Sequence, residues 1–545
     1  MLGRMQTSAL LVNDILDHAN IYHSDIEIVS RLVGGKIHRE TYSEAHLRAR
    51  KMSQALQSLG MGKGDVVATL AWNNHRHLES WYAITGIGAV YHTLNPRLFA
   101  DQLIYIINHA EDKYIFVDLT FVPILEALQD KLDTVKGFII YCDEDEMPQT
   151  SLDNAHCYET LIGAQDGDFS WVQVDENDAC GICYTSGTTG NPKGVIYSHR
   201  SNVLHSLIAV SKDVMGLGSK SVVMPVVPMF HANAWGLVFT CPMVGAAMVN
   251  PGPQMDGASI FELLDTEQVS FTAAVPTVWL MLLQHLEDQK LKLPYLDSVV
   301  IGGSAAPRMM IEKFEKDYDV EVNHAWGMTE LSPLGTMGVL TGKMQTLSFD
   351  ERVDMKVKQG RPPFLVQMKI TDDDGNELPR DGKTFGILKV KGPFIIESYM
   401  KGDGGDVLDA DGFFDTGDVA TLDADGFMQI TDRSKDVVKS GGEWISSIEL
   451  ENIAVGHPDI VEAAVIGVAH PKWDERPILI VIKKEDVDLS CEDVLGFMEG
   501  KIAKWWMPDD VVFVEEIPHT ATGKIQKLTL REQFKDYVLP TAADA

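Results

Sequence analysis

The residues with the clearest chemical capacity lie in one short segment, Tyr184–Val195, which reads YTSGTTGNPKGV. Its glycines permit tight backbone turns, its serine and threonines supply hydroxyl groups, and Lys193 supplies a cation. Backbone N–H groups and hydroxyls in such a loop can surround the oxygens of a polyphosphate at little steric cost. The segment is not a Walker A loop, because no Gly-Lys-Ser/Thr triplet follows at the required spacing. We therefore predict a phosphate-binding loop rather than an ordinary surface loop.

Further segments, in a fixed order along the chain, resemble the motifs of one family. They are VPMFHANAWG at 227–236, GGSAAP at 302–307, WGMTE at 326–330, FFDTGDVA at 413–420, ITDRSKDVVKSGGEWISSIELE at 430–451 and PHTATGKIQK at 518–527. With the phosphate loop, this series resembles the adenylate-forming superfamily, which contains acyl-CoA synthetases, peptide-synthetase adenylation domains and beetle luciferases. The resemblance covers nearly the whole chain, from about Ala9 to Leu530.

The resemblance implies that ATP and Mg²⁺ bind across these motifs. Thr185 and Glu330 are expected to hold Mg²⁺, a hard cation that prefers oxygen ligands. Asp418 is expected to accept hydrogen bonds from the ribose hydroxyls, and Trp326, which replaces the family's usual Tyr, to stack on adenine. The full set implied for the nucleotide is Thr185, Ser186, Gly187, Thr188, Thr189, Gly190, Lys193, Gly303, Ser304, Ala305, Ala306, Trp326, Gly327, Met328, Thr329, Asp418, Ile430, Arg433, Lys435, Lys439, Trp444 and Lys524.

The catalytic residues also follow from the resemblance. Lys524 corresponds to the family's adenylation lysine, which reaches the acyl carboxylate and the α-phosphate. A cation there orients the nucleophile and offsets charge as pyrophosphate leaves. Lys435 stands at the hinge position, and Gly441 and Gly442 are expected to line the pantetheine tunnel. The catalytic set is therefore expected to be Lys524, His231, Glu330, Thr185 and Lys435.

The acyl group is expected to contact four residues. In isolation, His231 is more simply explained as a core histidine, and plain core packing is the alternative interpretation of Trp235. In the context of the resemblance, His231 lines the acyl site and shifts between the two half-reactions, and Trp235 stands where fatty-acyl members carry a gating indole. The expected substrate residues are His231, Trp235, Gly302 and Pro333.

The reaction implied has two steps on one nucleotide site. A carboxylate attacks the α-phosphate of Mg-ATP and gives acyl-AMP and pyrophosphate. The small domain then turns about Lys435, which withdraws Lys524 and opens a tunnel through which the CoA thiol displaces AMP. The chain is thus expected to be an acid–thiol ligase that uses ATP, Mg²⁺ and coenzyme A.

The elements that must position these residues alternate between strands and helices. Asp65–Trp72, Lys113–Leu119 and Leu296–Gly303 are predicted to contain strands, and His77–Tyr91, Phe121–Leu132 and Trp279–Glu287 to be helical. Such alternation favours α/β layers with largely parallel sheets. From about Lys356 the pattern changes to short strands separated by Gly and Asp turns, which indicates an antiparallel barrel or meander.

The resemblance and these patterns together give the domain organisation. We expect an α/β protein with a large N-terminal domain, residues 1–432, made of two α/β subdomains and a small β-barrel. Residues 433–436 would form the hinge. Residues 437–545 would form a small mobile α+β domain, and their apolar runs are sufficient for a core of their own.

Composition excludes several classes of function. The chain has 545 residues, 45% of them apolar, and 46 Lys and Arg against 79 Asp and Glu give a formal net charge of −33. So acidic a surface repels nucleic acid and anionic lipid. Six cysteines are too few for a disulfide scaffold, and Cys180 and Cys183 are expected to be side chains of a strand, not a metal or redox pair. No secretory segment is recognised, so a cytoplasmic protein is expected.

The substrate is the least determined feature. The stretch Ser221–Met255 contains no charged residue, but its prolines exclude a continuous membrane helix and predict a buried apolar pocket wall. The resemblance is closest to the fatty-acyl branch, which includes 3-methylmercaptopropionate-CoA ligases, and it suggests a homodimer. A short- or medium-chain acid, with 3-(methylthio)propionate as one candidate, ranks above a long-chain fatty acid. Loading of a carrier protein instead of CoA, and a non-catalytic nucleotide-binding module, stay open.

Overall fold

The computed structural model describes residues 1, 3–185, 191–433, 436–441, 443–484, 487–519 and 525–541. Within these ranges the strands, numbered in chain order, are β1 Glu27–Arg31, β2 Ile37–Thr41, β3 Val66–Leu70, β4 Val90–Thr93, β5 Tyr114–Asp118, β6 Gly137–Tyr141, β7 Ala155–Cys157, β8 Ala179–Tyr184, β9 Gly194–Ser198, β10 Val222–Pro225, β11 Ala247–Asn250, β12 Phe271–Ala274, β13 Ser298–Ile301, β14 Glu321–Gly327, β15 Leu334–Met337, β16 Gln367–Thr371, β17 Gly386–Lys391, β18 Phe414–Leu422, β19 Met428–Arg433, β20 Val438–Ser440, β21 Glu443–Ile445, β22 Ile460–His470, β23 Asp474–Lys483 and β24 Asp510–Phe513.

The helices are numbered in the same way. They are α1 Val12–Tyr22, α2 Tyr42–Ser58, α3 His75–Gly86, α4 Ala100–Ala110, α5 Val122–Leu128, α6 Tyr158–Gly163, α7 His199–Ala209, α8 Ala232–Trp235, α9 Leu237–Val244, α10 Gly257–Thr266, α11 Pro276–Gln289, α12 Arg308–Asp317, α13 Phe349–Val357, α14 Ser447–Val455, α15 Cys491–Met498 and α16 Lys527–Gln533.

Two largely parallel sheets form the N-terminal region. The first sheet runs in the order β7-β6-β5-β3-β4-β8-β9, and only its last pair, β8 and β9, is antiparallel. The second sheet runs β15-β14-β13-β12-β10-β11-β1-β2, with antiparallel pairs at both edges. Strand β5 (YIFVD) is buried along its whole length, as expected for a strand in a parallel sheet covered on both faces. The predicted α/β layers are therefore confirmed.

Local sequence explains where several elements begin and end. Helix α2 begins with a capping box, because Thr41 Oγ1 accepts a hydrogen bond from Glu44 N at 3.3 Å and the Glu44 carboxylate accepts one from Thr41 N at 2.8 Å. The predicted helix His77–Tyr91 is too long: α3 ends at Gly86 and the chain enters β4 at Val90. The turn between them contains Gly88, whose φ of +74° suits glycine.

The uncharged stretch Ser221–Met255 forms core and wall, as predicted. It contains β10, α8, α9 and β11, and most of its residues are buried. Across the described ranges, no helix combines the length and apolar character that a membrane crossing needs. Cys180 and Cys183 are buried on β8, which confirms that they are strand side chains.

Two smaller sheets follow. Strands β16-β17-β18-β19 form an antiparallel meander, the small β unit that the change of pattern near Lys356 predicted. In the C-terminal region β22 and β23 pair over nearly their whole length, β20 and β21 extend one side, and β24 pairs in parallel with β23. Helices α14 and α15 pack on this sheet through an apolar cluster of their own.

Candidate active site

The short helical turn after β14, Thr329–Leu331, carries the acidic residue of the site. Glu330 is 6% exposed, and its Oε1 accepts a hydrogen bond of 2.6 Å from the hydroxyl of Tyr399. Burial raises the pKa of Glu330 above its ordinary value, although the hydrogen bond from Tyr399 works in the opposite direction. A hard divalent cation would offset this desolvation, so Glu330 fits a Mg²⁺ ligand.

A second tyrosine fixes the same turn. Tyr197 lies on β9, directly after the phosphate loop, and its hydroxyl donates a hydrogen bond of 2.7 Å to the carbonyl oxygen of Thr329. The turn that carries Glu330 is therefore tied to the strand that leaves the phosphate loop.

The two ends of the phosphate loop meet. Thr185 N donates to the Lys193 carbonyl at 2.9 Å, and Lys193 N donates to Thr185 Oγ1 at 3.2 Å. The Lys193 ammonium lies 4.8 Å from the ring centroid of Tyr399, whose hydroxyl holds Glu330. The structure thus brings together Thr185, Lys193 and Glu330, which are 8 and 137 positions apart in sequence.

The predicted adenosine residues form a second group. The Trp326 indole N–H donates to Asp418 Oδ2 at 2.9 Å, and Arg433 Nε lies 2.8 Å from Asp418 Oδ1. Asp418 and Arg433 face each other across β18 and β19. Ile430 N donates at 2.6 Å to Gln359 Oε1, so the buried Gln359 fixes this strand. Trp326, which stands where the family usually has Tyr, therefore still directs a polar hydrogen, its indole N–H, toward the Asp418 carboxylate.

The loop expected on the adenine side, residues 302–307, is held by a buried histidine. Ala306 N donates to His324 Nε2 at 3.3 Å, and His324 Nδ1 donates to the Val357 carbonyl at 2.9 Å. Burial lowers the pKa of His324 to about 4, so the ring is neutral and can accept at Nε2. Gly303 has a φ of +81°, and Gly303 and Ser304 are exposed.

The motif expected on the acyl side, residues 227–236, adopts a strained backbone. His231 begins a turn, Ala232–Trp235, in which all four residues have positive φ of 37°, 63°, 49° and 55°. Non-glycine residues in the left-handed region cost roughly 1–2 kcal/mol each. Asn233 anchors the turn from a buried position, because its Oδ1 accepts from the Tyr91 hydroxyl at 3.0 Å. The His231 ring packs 5.2 Å from the ring of Phe230.

This turn places the indole of Trp235 against the end of β13. A Cβ atom at Gly302 would lie 3.0 Å from Trp235 Cη2, so a side chain there would require the indole to shift by a few tenths of an ångström. The buried Pro333 lies close by along the chain from Glu330, and its carbonyl accepts from Met328 N at 3.0 Å. The structure therefore brings Trp235 and Gly302 into contact, and their expected role at an acyl pocket stays a prediction.

Several predicted site residues lie outside the described residues. They are Ser186, Gly187, Thr188, Thr189, Gly190, Lys435, Gly442 and Lys524. The backbone of Trp444 is described, and it pairs with Lys439 between β20 and β21. Lys439 N donates to Glu475 Oε2 at 3.1 Å. The roles expected for these residues stay predictions.

Sequence relationships decide the family. Residues 17–400 match the AMP-binding enzyme family, and residues 449–524 match the AMP-binding enzyme C-terminal domain. The chain belongs to the AMP-binding enzymes. It is 52% identical to the 3-methylmercaptopropionyl-CoA ligase of Ruegeria lacuscaerulensis, over 98% of this chain and 99% of that protein. It is 48% identical to the medium-chain-fatty-acid–CoA ligase of Ectopseudomonas oleovorans, over 100% and 99% of the two chains.

The fold comparison agrees. The crystal structure of the anthranilate CoA ligase AuaEII in complex with anthranoyl-AMP superimposes with a TM-score of 0.85 at 23% identity, over 97% of this chain and 98% of that chain. The predicted superfamily, fold class and enzyme class, an AMP-forming acyl-CoA ligase, are confirmed. Use of ATP and CoA by this AMP-binding enzyme follows from its membership of the family.

Sequence reasoning missed two groups of residues in this AMP-binding enzyme. His205 lies between the two acyl-side segments: its Nε2 accepts from Leu334 N at 3.3 Å, and a Cβ atom at Gly236 would lie 2.6 Å from its ring. A buried histidine on a helix carries no signal that separates it from core packing. Tyr197 and Tyr399 were missed because they lie outside the recognised motifs.

The second missed group surrounds a hollow of about 310 Å³ on the C-terminal domain. Two indoles form its aromatic part, with the Trp473 and Trp505 rings 4.8 Å apart and edge to face. The turn at Gly441 packs on both, since a Cβ atom there would lie 3.2 and 3.3 Å from the two rings. The hollow is lined by His470, Lys472, Trp473, Arg476, Trp505, Asp509 and Thr541.

Proposed function

We propose that this AMP-binding enzyme activates a short- or medium-chain carboxylic acid, with 3-(methylthio)propionate as the first candidate, and transfers the acyl group to CoA. The contact between the Trp235 indole and Gly302 carries the proposal. It sets a bulky ring at the end of an uncharged wall, which suits an apolar tail of limited length. The two relatives named above act, by their names, on acids of this size.

The nucleotide roles complete the first half-reaction. Glu330 and Thr185 would hold Mg²⁺, which neutralises phosphate charge when bound. Lys193 would contact the phosphates from its place over Tyr399, and Asp418 would accept from the ribose hydroxyls. Lys524 is proposed to approach the acyl carboxylate and α-phosphate during adenylation. The proximity of Glu330, Lys193 and Thr185 supports this arrangement.

The second half-reaction would follow rotation about Lys435, within the proposed hinge 433–436 between domains 1–432 and 437–545. The hollow beside Gly441 supports CoA as acceptor. Its indoles offer surfaces for an adenine ring, and Lys472 offers a cation for phosphate. Arg476 is already engaged with Asp509 at 2.7 Å. We also propose a cytoplasmic homodimer, on the resemblance alone.

The test is kcat/KM for AMP formation with ATP, Mg²⁺ and CoA over acids from acetate to palmitate, including 3-(methylthio)propionate. We expect an optimum at about four to six chain atoms, since each methylene in an apolar pocket is worth roughly tenfold or more. In Trp235→Ala the optimum should move to longer acids, while ATP KM stays unchanged as an internal control. An optimum at palmitate in the wild-type enzyme would refute the proposed substrate. Acyl transfer to a carrier protein but not to CoA would refute CoA as the acceptor.

A further inference from the structure

Tyr399 occupies a position between the two charged groups of the proposed phosphate site. Its hydroxyl donates to Glu330 Oε1 at 2.6 Å, and its ring face lies 4.8 Å from the Lys193 ammonium. The side chain is 9% exposed. One residue thus contacts both the proposed metal ligand and the phosphate-loop lysine.

The backbone around Tyr399 is fixed to both partners. Ile396 N donates to the Glu330 carbonyl at 2.8 Å, three residues before the tyrosine. On the other side, Gly404 has a φ of +81°, and a Cβ atom there would lie 2.8 Å from Lys193 Nζ. The segment from Ile396 to Gly404 therefore bonds to Glu330 near its start and passes close to the Lys193 ammonium at its end.

We propose that Tyr399 is a positioning residue that orients Glu330 for Mg²⁺ and holds Lys193 for the ATP phosphates. This inference rests on the proposed function of Glu330. The donated O–H occupies one carboxylate oxygen and so fixes the direction of the other lone pairs. The ring face attracts the ammonium without neutralising it, so the lysine keeps its charge for phosphate.

Two substitutions separate the two contacts. Tyr399→Phe removes the hydroxyl and keeps the ring face, whereas Tyr399→Leu removes both. The matched control is Tyr197→Phe. It removes a hydrogen bond that Tyr197 donates to the same turn, but to the Thr329 carbonyl instead of the Glu330 carboxylate. Thermal unfolding of all three variants would show that each is folded.

The measurement is binding, without turnover, of Mn²⁺ in the presence of α,β-methylene-ATP, followed by electron paramagnetic resonance. We expect Tyr399→Phe to weaken Mn²⁺ binding about tenfold, the usual scale for removing a hydrogen-bond partner of a metal ligand, and Tyr197→Phe to change it less. Metal-free binding of the analogue should weaken only in Tyr399→Leu, because only that variant loses the contact with Lys193.

Equal Mn²⁺ affinity in Tyr399→Phe and wild type, or an equal loss in Tyr399→Phe and Tyr197→Phe, would overturn the role of Tyr399. Failure of the wild-type enzyme to bind Mn²⁺ with the analogue would instead refute the metal role of Glu330, on which the inference rests. The two failures are therefore distinguishable.

Discussion

Two buried carboxylates in this enzyme have similar surroundings but differ in whether a cation contacts them directly. Glu330 and Glu79 each accept a hydrogen bond of 2.6 Å from a tyrosine hydroxyl, of Tyr399 and Tyr158 respectively. Burial raises the pKa of both. Glu79 also has a direct cation, because Arg48 Nε lies 2.9 Å from its Oε1.

Lys193, the lysine proposed to act beside Glu330, contacts Tyr399 and not the carboxylate itself. Lys193 lies over the ring of Tyr399, whereas Arg48 reaches its carboxylate and extends to a second one, with two hydrogen bonds of 2.8 and 3.0 Å to Glu159. Arg76 joins that network at 2.8 Å from Glu159. Within the described residues, Glu79 thus has an arginine in direct contact, which Glu40 shares at 3.4 Å, whereas Glu330 forms no ion pair and could gain from an added cation. This difference is what we expect between a structural carboxylate and one proposed to bind a metal.

The largest expected effect lies at the ligand-binding side. Lys524→Ala should lower the rate of adenylation by roughly two to three orders of magnitude, the scale of one lost transition-state contact. Thioester formation from supplied acyl-AMP should persist. The rates of the two half-reactions, measured separately, check this.

Lys435→Pro is the counterpart of Lys524→Ala. It should spare adenylation and block thioester formation, and the same two rates check it. An equal loss of both steps in either variant would contradict the role assigned to that lysine.

Glu330→Gln is expected to lower kcat/KM for adenylation about 100-fold, because the neutral amide is a much weaker ligand for a hard cation. Its melting temperature should change little, since among the residues that the structure describes no cation forms an ion pair with this carboxylate as Arg48 does with Glu79. Pyrophosphate release at varied Mg²⁺ and calorimetry on the same sample provide the two readouts. A large loss of stability with normal activity would instead assign Glu330 the structural role that we expect for Glu79.

Glu79→Gln should have the opposite effect to Glu330→Gln, with lower stability and nearly unchanged activity. Removing one partner of a buried ion pair typically costs about 3 kcal/mol of unfolding free energy. The cost here should be smaller than that, because Arg48 is only partly buried and keeps its hydrogen bonds to Glu159. The kcat/KM for AMP formation should stay near that of the wild type at temperatures where the variant is folded. Chemical denaturation measures the first effect, and a drop in activity without loss of stability would show that the network also serves the reaction.

The smallest expected effect concerns pH. Burial lowers the pKa of His205 to about 3, below its ordinary value near 6.5, so the folded protein holds this ring neutral. Its contribution to stability is complete above pH 6.5 and is lost progressively as the pH falls toward 3. Between pH 7 and 5.5, unfolding free energy should therefore fall by roughly 1 kcal/mol less in His205→Gln than in wild type. An identical fall in both proteins would exclude this role.

Local patterns carried much of the fold. The buried run of β5 and the prolines of Ser221–Met255 each report on their own neighbourhood, and the structure agrees with the predictions made from them. The misplaced end of α3 shows the limit of such patterns. Val90 and Tyr91 continue an apolar helical periodicity, yet they pair with β3 and β8 in the sheet, a contact that periodicity does not record.

By itself, the sequence indicated the family through the order of its motifs, and the α/β architecture through apolar periodicity, which acts over a few residues. It also predicted the phosphate loop, whose role stays a prediction. Tertiary structure alone decided which side chains complete the site. Tyr399 lies 69 positions from Glu330, and His205 lies 129 positions from Leu334. Such contacts depend on how sheets pack, and a buried tyrosine or histidine has the same sequence appearance whether it fills a core or orients a ligand.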